Sequence, residues 1–397
     1  MTRHTAQPEM AATPAPGGGA ARPRLSLADL RWRAAPVAVP WAVALAMLVV
    51  SVSLYPATVH YGGLATLTPL LGVLVIASLG QSLVIGTGGI DLSVSSVITV
   101  VGVVFVMEAG PKGGSTTLGL VYALLIGLAC GVTNGLLVEY LRLSPLVTTL
   151  ATGQVMAGLA SIWYGNGTNG LTVPASWKNL TGNTLAGGVS YVLVIAVASA
   201  VVLSIVLSHT AVGRRLTVAS TSPRAAGYQG IRARRYRAAT YVLASALYAL
   251  AGVLFVGDIG TSTLSLGDVY QLSTIVAVVL GGAALSGGKL HPAATVAGAL
   301  FLSLINNDVA ASGIAPGTQS VLQGAVLVLA MAATTTGALR GLRRRRLRAA
   351  LASPAPPSAE PQAPGPPAAP ASSTSTPGSP PGNTPRHGRT TAQPPDG

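Results

Sequence analysis

Between residues 37 and 208 the chain carries only six charged side chains: Asp91, Glu108, Lys112, Glu139, Arg142 and Lys178. So few charges cannot cover a surface that faces water, since average proteins are about 25% charged. Across all 397 residues the charged fraction is 9%, the apolar fraction is 50% and the mean hydropathy is +0.58. These values exclude a soluble enzyme, a coiled coil and a nucleic-acid-binding domain, and they leave a polytopic membrane protein. The net charge of +14 does not point to nucleic acid, because the arginines cluster at the ends of apolar segments. The lone cysteine, Cys130, excludes an intrachain disulfide.

The expected architecture is all-α, with about ten transmembrane helices, some short or broken, and disordered terminal tails. Ten apolar segments stand out, near 37–55, 64–86, 93–109, 118–140, 146–163, 190–208, 238–257, 269–286, 291–307 and 319–338. A crossing needs roughly 20 residues, so the short third, fifth and ninth segments are expected to be tilted, broken or partly spanning. Residues 1–35 read as a disordered basic tail and 36–340 as the membrane domain. Residues 341–397 read as an Arg-rich anchor followed by a Pro-rich disordered tail; 14 of the 28 prolines fall after residue 348. With the N-terminus in the cytoplasm, twenty Lys and Arg fall on the inner side, leaving out Arg386 and Arg389 of the far tail, against Lys112 and Lys178 outside. That asymmetry predicts cytoplasmic N- and C-termini in a plasma (inner) membrane.

Two stretches carry function. In the first, Gly86, Gly88 and Gly89 interrupt an apolar segment and Asp91 follows at once. A carboxylate at this depth is costly, and broken backbone is tolerated there only under cover of protein or water. Asp91 is expected to cap the helix starting near Ser93 and to mark a broken helix beside a polar pathway. Gly281-Gly282 with Leu285-Ser286 echoes Gly88-Gly89 with Leu92-Ser93, as internal repeats do in transporters. The run Ala283–Leu290 fails as a phosphate loop, because Ala283 and Leu290 stand where Gly and Ser or Thr are required.

The second stretch is the loop 209–237, with seven arginines and many small residues. Anionic lipid accounts for part of that charge. In Ser222-Pro223-Arg224-Ala225-Ala226, Ser222 suits an N-cap and Pro223 the first position of a short helix. A short helix of small residues can dock in a partner's groove.

Four blocks then resemble one family, the permease subunits of ribose-type bacterial ABC sugar importers. Thr87-Gly88-Gly89-Ile90-Asp91-Leu92-Ser93-Val94 matches its signature. Gly213-Arg214-Arg215, Pro223, Ala225-Ala226 and Gly230-Ile231 resemble its cytoplasmic loop. Ala277–Gly282 with Leu285–Gly288 resembles a Gly-rich element, and Ile305-Asn306-Asn307 its Asn pair. Ser220-Thr221-Ser222 departs from the Gly-Gly-Asn usual before the loop proline. The resemblance implies an importer subunit with no enzymatic chemistry, cofactor or metal of its own. Its implied partners are an ABC ATP-binding subunit, an extracytoplasmic solute-binding protein and a second permease subunit in a homodimer. The pathway or broken-helix candidates are Gly88, Gly89, Asp91, Ser93, Gly281, Gly282, Ser286, Asn306 and Asn307. The ATPase-docking candidates are Gly213, Arg214, Arg215, Pro223, Ala225, Ala226, Gly230 and Ile231.

Three other readings compete. An ion-coupled secondary transporter usually needs several intramembrane carboxylates or histidines, and Asp91 stands nearly alone. A membrane-embedded enzyme lacks any motif here. A related permease for another small solute, such as a branched-chain amino acid, stays open. Further polar residues able to meet a solute are Gln81, Ser95, Thr148, Thr149, Thr152, Gln154, Gln319 and Gln323, most of which are expected to join helices instead.

Overall fold

A computed structural model describes residues 27–110, 114–165, 170–185, 187–313, 317–318, 320–329 and 332, with side chains from Pro36 onward. The basic tail up to residue 26 and the Pro-rich segment 341–397 lie outside the described residues.

Among the described residues, seven helices are long and apolar enough to cross a membrane. They are α1 (Leu27–Leu54, apolar from Pro36), α2 (Tyr61–Gly86), α4 (Thr116–Glu139), α5 (Pro145–Trp163), α7 (Tyr191–His209), α10 (Ala233–Ile259) and α12 (Pro292–Ala311). Three apolar helices are shorter: α3 (Val94–Ala109), α11 (Asp268–Leu280) and α13 (Ser320–Leu329). Together they account for the ten apolar segments. Three small α-helices, α6 (Ala175–Gly182), α8 (Ala211–Thr221) and α9 (Pro223–Tyr228), and a 3-10 turn at Pro56–Val59 are also present.

Two expectations about length are corrected. The fifth and ninth segments form α5 and α12, with 19 and 20 residues, long enough to cross. The third, α3, is short as expected, with 16 residues, and the eighth, α11, is short as well; its 13 residues span about 20 Å at 1.5 Å each. Hydropathy runs on through Ala283, Ala284 and Leu285, but the backbone stops at Gly282. At the N-terminus the apolar span begins at Pro36, where the sequence places the membrane domain, but helix α1 extends back to Leu27 into the expected tail, because Leu-Ala-Asp-Leu-Arg-Trp-Arg-Ala-Ala contains no helix breaker.

α2 forms the centre, with 94% of its apolar window buried, and packs against α7, α10, α11 and α12. The most extensive pairing among the described helices joins α4 to α10. Small residues at every fourth position of α4 explain it. A Cβ on Gly127 would lie 2.7 Å from the Ala249 Cβ, one on Gly131 2.7 Å from the Tyr241 carbonyl oxygen, and one on Gly135 2.8 Å from the Ala238 carbonyl oxygen. Without side chains the two backbones approach closely, which is how helices associate where no hydrophobic drive exists between them.

The chain ends of the helices sort into two groups. At one end, Gly89 meets Tyr241 and Pro145, and Gly288 donates to the Gly86 carbonyl oxygen (2.9 Å). α8 and α9 also lie here, continuing from α7 and packing on α10. At the other end, Asn307 bonds Thr58 (3.3 Å) and Thr68 Oγ1 accepts from the Ser190 amide (2.8 Å). α6 caps this second end: Trp177 Nε1 donates to the Val253 carbonyl oxygen (3.0 Å) and its ring lies 5.3 Å from that of Phe105.

Candidate functional site

The chain break between α2 and α3 is built by one glycine and held by side chains from four helices. α2 ends in a Schellman motif: Gly88 donates to the Ile85 carbonyl oxygen (2.9 Å) and Gly89 to that of Val84 (3.2 Å). This requires φ of +83° at Gly88, which a side chain would oppose. α11 ends in the same way. Gly282, at φ +82°, donates to Val279 (2.8 Å) and Ala283 donates to Val278 (3.2 Å). The echo seen in the sequence is therefore a shared helix stop, but Gly88 corresponds to Gly282 and not to Gly281. The two Gly-Gly pairs are thus offset by one residue relative to the helix stops.

The two breaks touch. Gly288 bonds Gly86, and a Cβ on Gly287 would lie 2.9 Å from the Gly88 nitrogen. Gly281 is buried against Ala294, whereas Gly282, Ser286 and Lys289 are exposed. Burial, and then the Lys289 ammonium, push the His291 imidazole below its ordinary value.

Asp91 is fully buried. Its Oδ1 accepts from the Ser93 amide (2.9 Å) and hydroxyl (2.5 Å). The expected helix cap is thereby corrected: α3 starts at Val94 with Ser93 at the N-cap position, and Asp91 holds Ser93 without reaching the amides of the first turn. Ser93 Oγ accepts from Asn134 Nδ2 of α4 (3.1 Å), and Asn134 Oδ1 accepts from Thr152 Oγ1 of α5 (2.6 Å). Thr149 Oγ1, also on α5, accepts from the Leu92 amide (2.9 Å). The Gln81 amide is assigned with its nitrogen donating to the Asp91 carbonyl oxygen (3.1 Å) and Tyr248 Oη (2.9 Å), because its oxygen then accepts from the Asp91 amide (3.3 Å). Asp91 Oδ2 has no hydrogen-bond partner among the described residues. Gln81, Ser93, Thr149 and Thr152 thus join helices. Asn134 and Tyr248 were missed, although an Asn amid the apolar residues of α4 was a visible signal.

Asn306 and Asn307 lie elsewhere. They line a cavity of about 720 Å³ between the first half of α2, the start of α11, the end of α12 and α13. Gln323 lines it too and donates to Asn306 Oδ1 (3.4 Å); Gln319 lies outside the described residues. Asp268, the hydroxyls of Thr66, Ser273, Ser303 and Ser320, and the rings of Phe255 and Tyr270, edge to face at 5.0 Å, add to the polar and aromatic lining. The pathway candidates therefore divide into a glycine-built junction at one end of α11 and a cavity at the other.

The loop candidates form two short helices. Thr210 Oγ1 accepts from the Gly213 amide (3.1 Å) and starts α8; a Cβ on Gly213 would strike the end of α7. Arg214 bonds the His209 carbonyl oxygen and Arg215 bonds Tyr236 Oη, each at 3.3 Å. Ser222 Oγ accepts from the Ala225 amide (3.3 Å) with Pro223 at the first helical position, as the sequence implies. Ala226 is fully buried, Gly230 stops the helix at φ +68°, and Ile231 donates back to the Ala226 carbonyl oxygen (2.9 Å). Pro223, Arg224 and Gly227 face out, and Tyr228 is 93% exposed. Just beyond, Arg237 Nε pairs with Glu139 Oε1 at 2.9 Å, tying α10 to the end of α4.

A family profile described as "Branched-chain amino acid transport system / permease component" matches residues 63–331. A Sinorhizobium fredii protein named "Probable ABC transporter permease protein y4mJ" is 34% identical over 74% of this chain and 87% of its own. The ribose import permease of Bacillus subtilis is 31% identical over 64% of this chain and 79% of its own length. The galactose/methyl galactoside import permease of Escherichia coli is 27% identical over 74% and 92%. No solved structure matches. The matched region runs from the start of α2 through α13 and so contains the glycine junction, the polar network, the cavity and the α8–α9 element together. The chain belongs to the family of branched-chain amino acid transport system permease components, membrane-spanning subunits of ABC transporters.

Proposed function

We propose that the chain forms the translocation pathway of an ATP-driven importer for a monosaccharide or related polyol. The observation that carries this reading is the naming of similar proteins for ribose, galactose and fructose import, over 64%, 74% and 59% of this chain respectively. Two copies of the chain would enclose the pathway, and hydrolysis would come from a separate ATP-binding subunit. The charge asymmetry supports cytoplasmic termini in the inner membrane, which puts α8 and α9 on the ATPase side. Their outer face, with Arg224, Gly227 and the protruding Tyr228, is the docking surface; Ala226 holds α9 in its seat instead. The opposite end, capped by α6, receives the solute-binding protein.

The test is co-expression of the chain with its ATP-binding and solute-binding partners. ATP hydrolysis by the purified complex should rise several-fold when the binding protein is loaded with ribose, galactose or fructose. Stimulation by loaded L-leucine alone would move the substrate to the amino acids. Uptake that persists without the ATPase, on an ion gradient, would overturn the reading.

A further inference from the structure

We propose that the cavity between α2, α11, α12 and α13 is a transient binding site for one uncharged polyol, and that Asp268 makes it reject anions. This deepens the importer reading and rests on it. A volume of about 720 Å³ falls in the range of roughly 300–1,000 Å³ in which proteins hold single small molecules.

The lining suits hydroxyl groups, which both donate and accept. Asn306 Nδ2 donates to no described residue, and neither Asn307 Oδ1 nor Gln323 Oε1 accepts from one. Each of these side chains is nevertheless held from its other atom, Asn306 by Gln323 and Asn307 by Thr58. The result is one amide donor and two amide acceptors, fixed in place and left for a ligand. Leu67, Leu70 and Leu74 of α2 supply an apolar wall for the C–H faces of a sugar ring.

The charge pattern narrows the class. Asp268 is exposed at the start of α11 and is in no salt bridge among the described residues. No Lys, Arg or His is among the described lining residues. A sugar acid would meet the carboxylate with no cation to offset it. A zwitterionic amino acid would find no cation in the described lining for its own carboxylate. A neutral polyol meets neither penalty.

The experiment uses the full chain in complex with its ATPase in lipid nanodiscs, without the binding protein. Saturation-transfer NMR measures contact with D-ribose, D-galactose, D-fructose, D-glucuronate and L-leucine. At least one neutral sugar should give a signal about tenfold above glucuronate and leucine. Asn306→Leu and Gln323→Leu should each lower that signal about tenfold. Asp268→Asn should keep the sugar signal and admit glucuronate, a gain that misfolding cannot produce. Glucuronate bound as well as sugar by the unaltered chain would overturn the proposal. So would an Asp268→Asn variant that still excludes glucuronate, or sugar contact unchanged in both Leu variants. An uptake assay with the binding protein restored separates the two levels. Sugar uptake that survives both Leu substitutions refutes the cavity and leaves the importer, whereas uptake of leucine and of no sugar removes both.

Discussion

At Asp91 the carboxylate and the backbone are held by different neighbours, Ser93 on one side and Gln81 on the other. Asp91→Asn keeps an acceptor for Ser93, so the chain should insert and melt near the parent temperature, with lowered transport. Asp91→Leu strips the acceptor from the buried Ser93 amide and hydroxyl, at about 1–3 kcal/mol per orphaned group. Thermal unfolding in detergent should show a clear loss of stability; a Leu variant as stable and active as the parent would remove the network from the fold's support. The same distinction separates two residues of α9. Ala226→Glu forces a charge into a fully buried seat and should unseat the helix. Tyr228→Ala removes a side chain that is 93% exposed, so the protein should stay folded yet retain less ATPase on co-purification. Full ATPase retention by a folded Tyr228→Ala variant would exclude that tip from the contact.

Among the elements, α4 and α10 give the sharpest stability test. Gly131→Leu drives a branched side chain into the Tyr241 backbone, where even a Cβ would sit 2.7 Å from the carbonyl oxygen. Overpacking of this kind costs about 1–3 kcal/mol, and size-exclusion profiles should show a less stable or aggregated protein. Gly158→Leu is the control, because nothing lies within 4 Å of its Cβ position. Equal stability of the two variants would remove the close approach from the fold's support. The elements also show what a linear reading captures. Ser222 and Pro223 specify a helix start through local bonds, and the sequence alone places it. Ten apolar runs correspond to ten apolar helices among the described residues because hydropathy measures burial in lipid. The end of α11 escaped, since apolar residues continue past the glycine that turns the backbone.

Across the whole molecule, the arrangement separates a cavity at one end of α11 from a glycine-built junction at the other. The Asn pair was visible as a motif, but its cavity was not. The bonds that form it join Thr58 to Asn307 and Asn306 to Gln323, and only the packed bundle brings those helices together. The roles of Asn134 and Tyr248 were hidden for the same reason. An importer of the proposed kind couples ATP on the α8–α9 side to solute arriving at the α6 end. The direct measurement is uptake into proteoliposomes that contain the chain and its ATPase, with binding protein and labelled ribose, galactose or fructose outside. ATP sealed inside should drive sugar accumulation when α8 and α9 face inward, and ATP added outside should not support it in the same vesicles. Accumulation without ATP, or accumulation of L-leucine but of no sugar, would contradict an ATP-driven sugar permease.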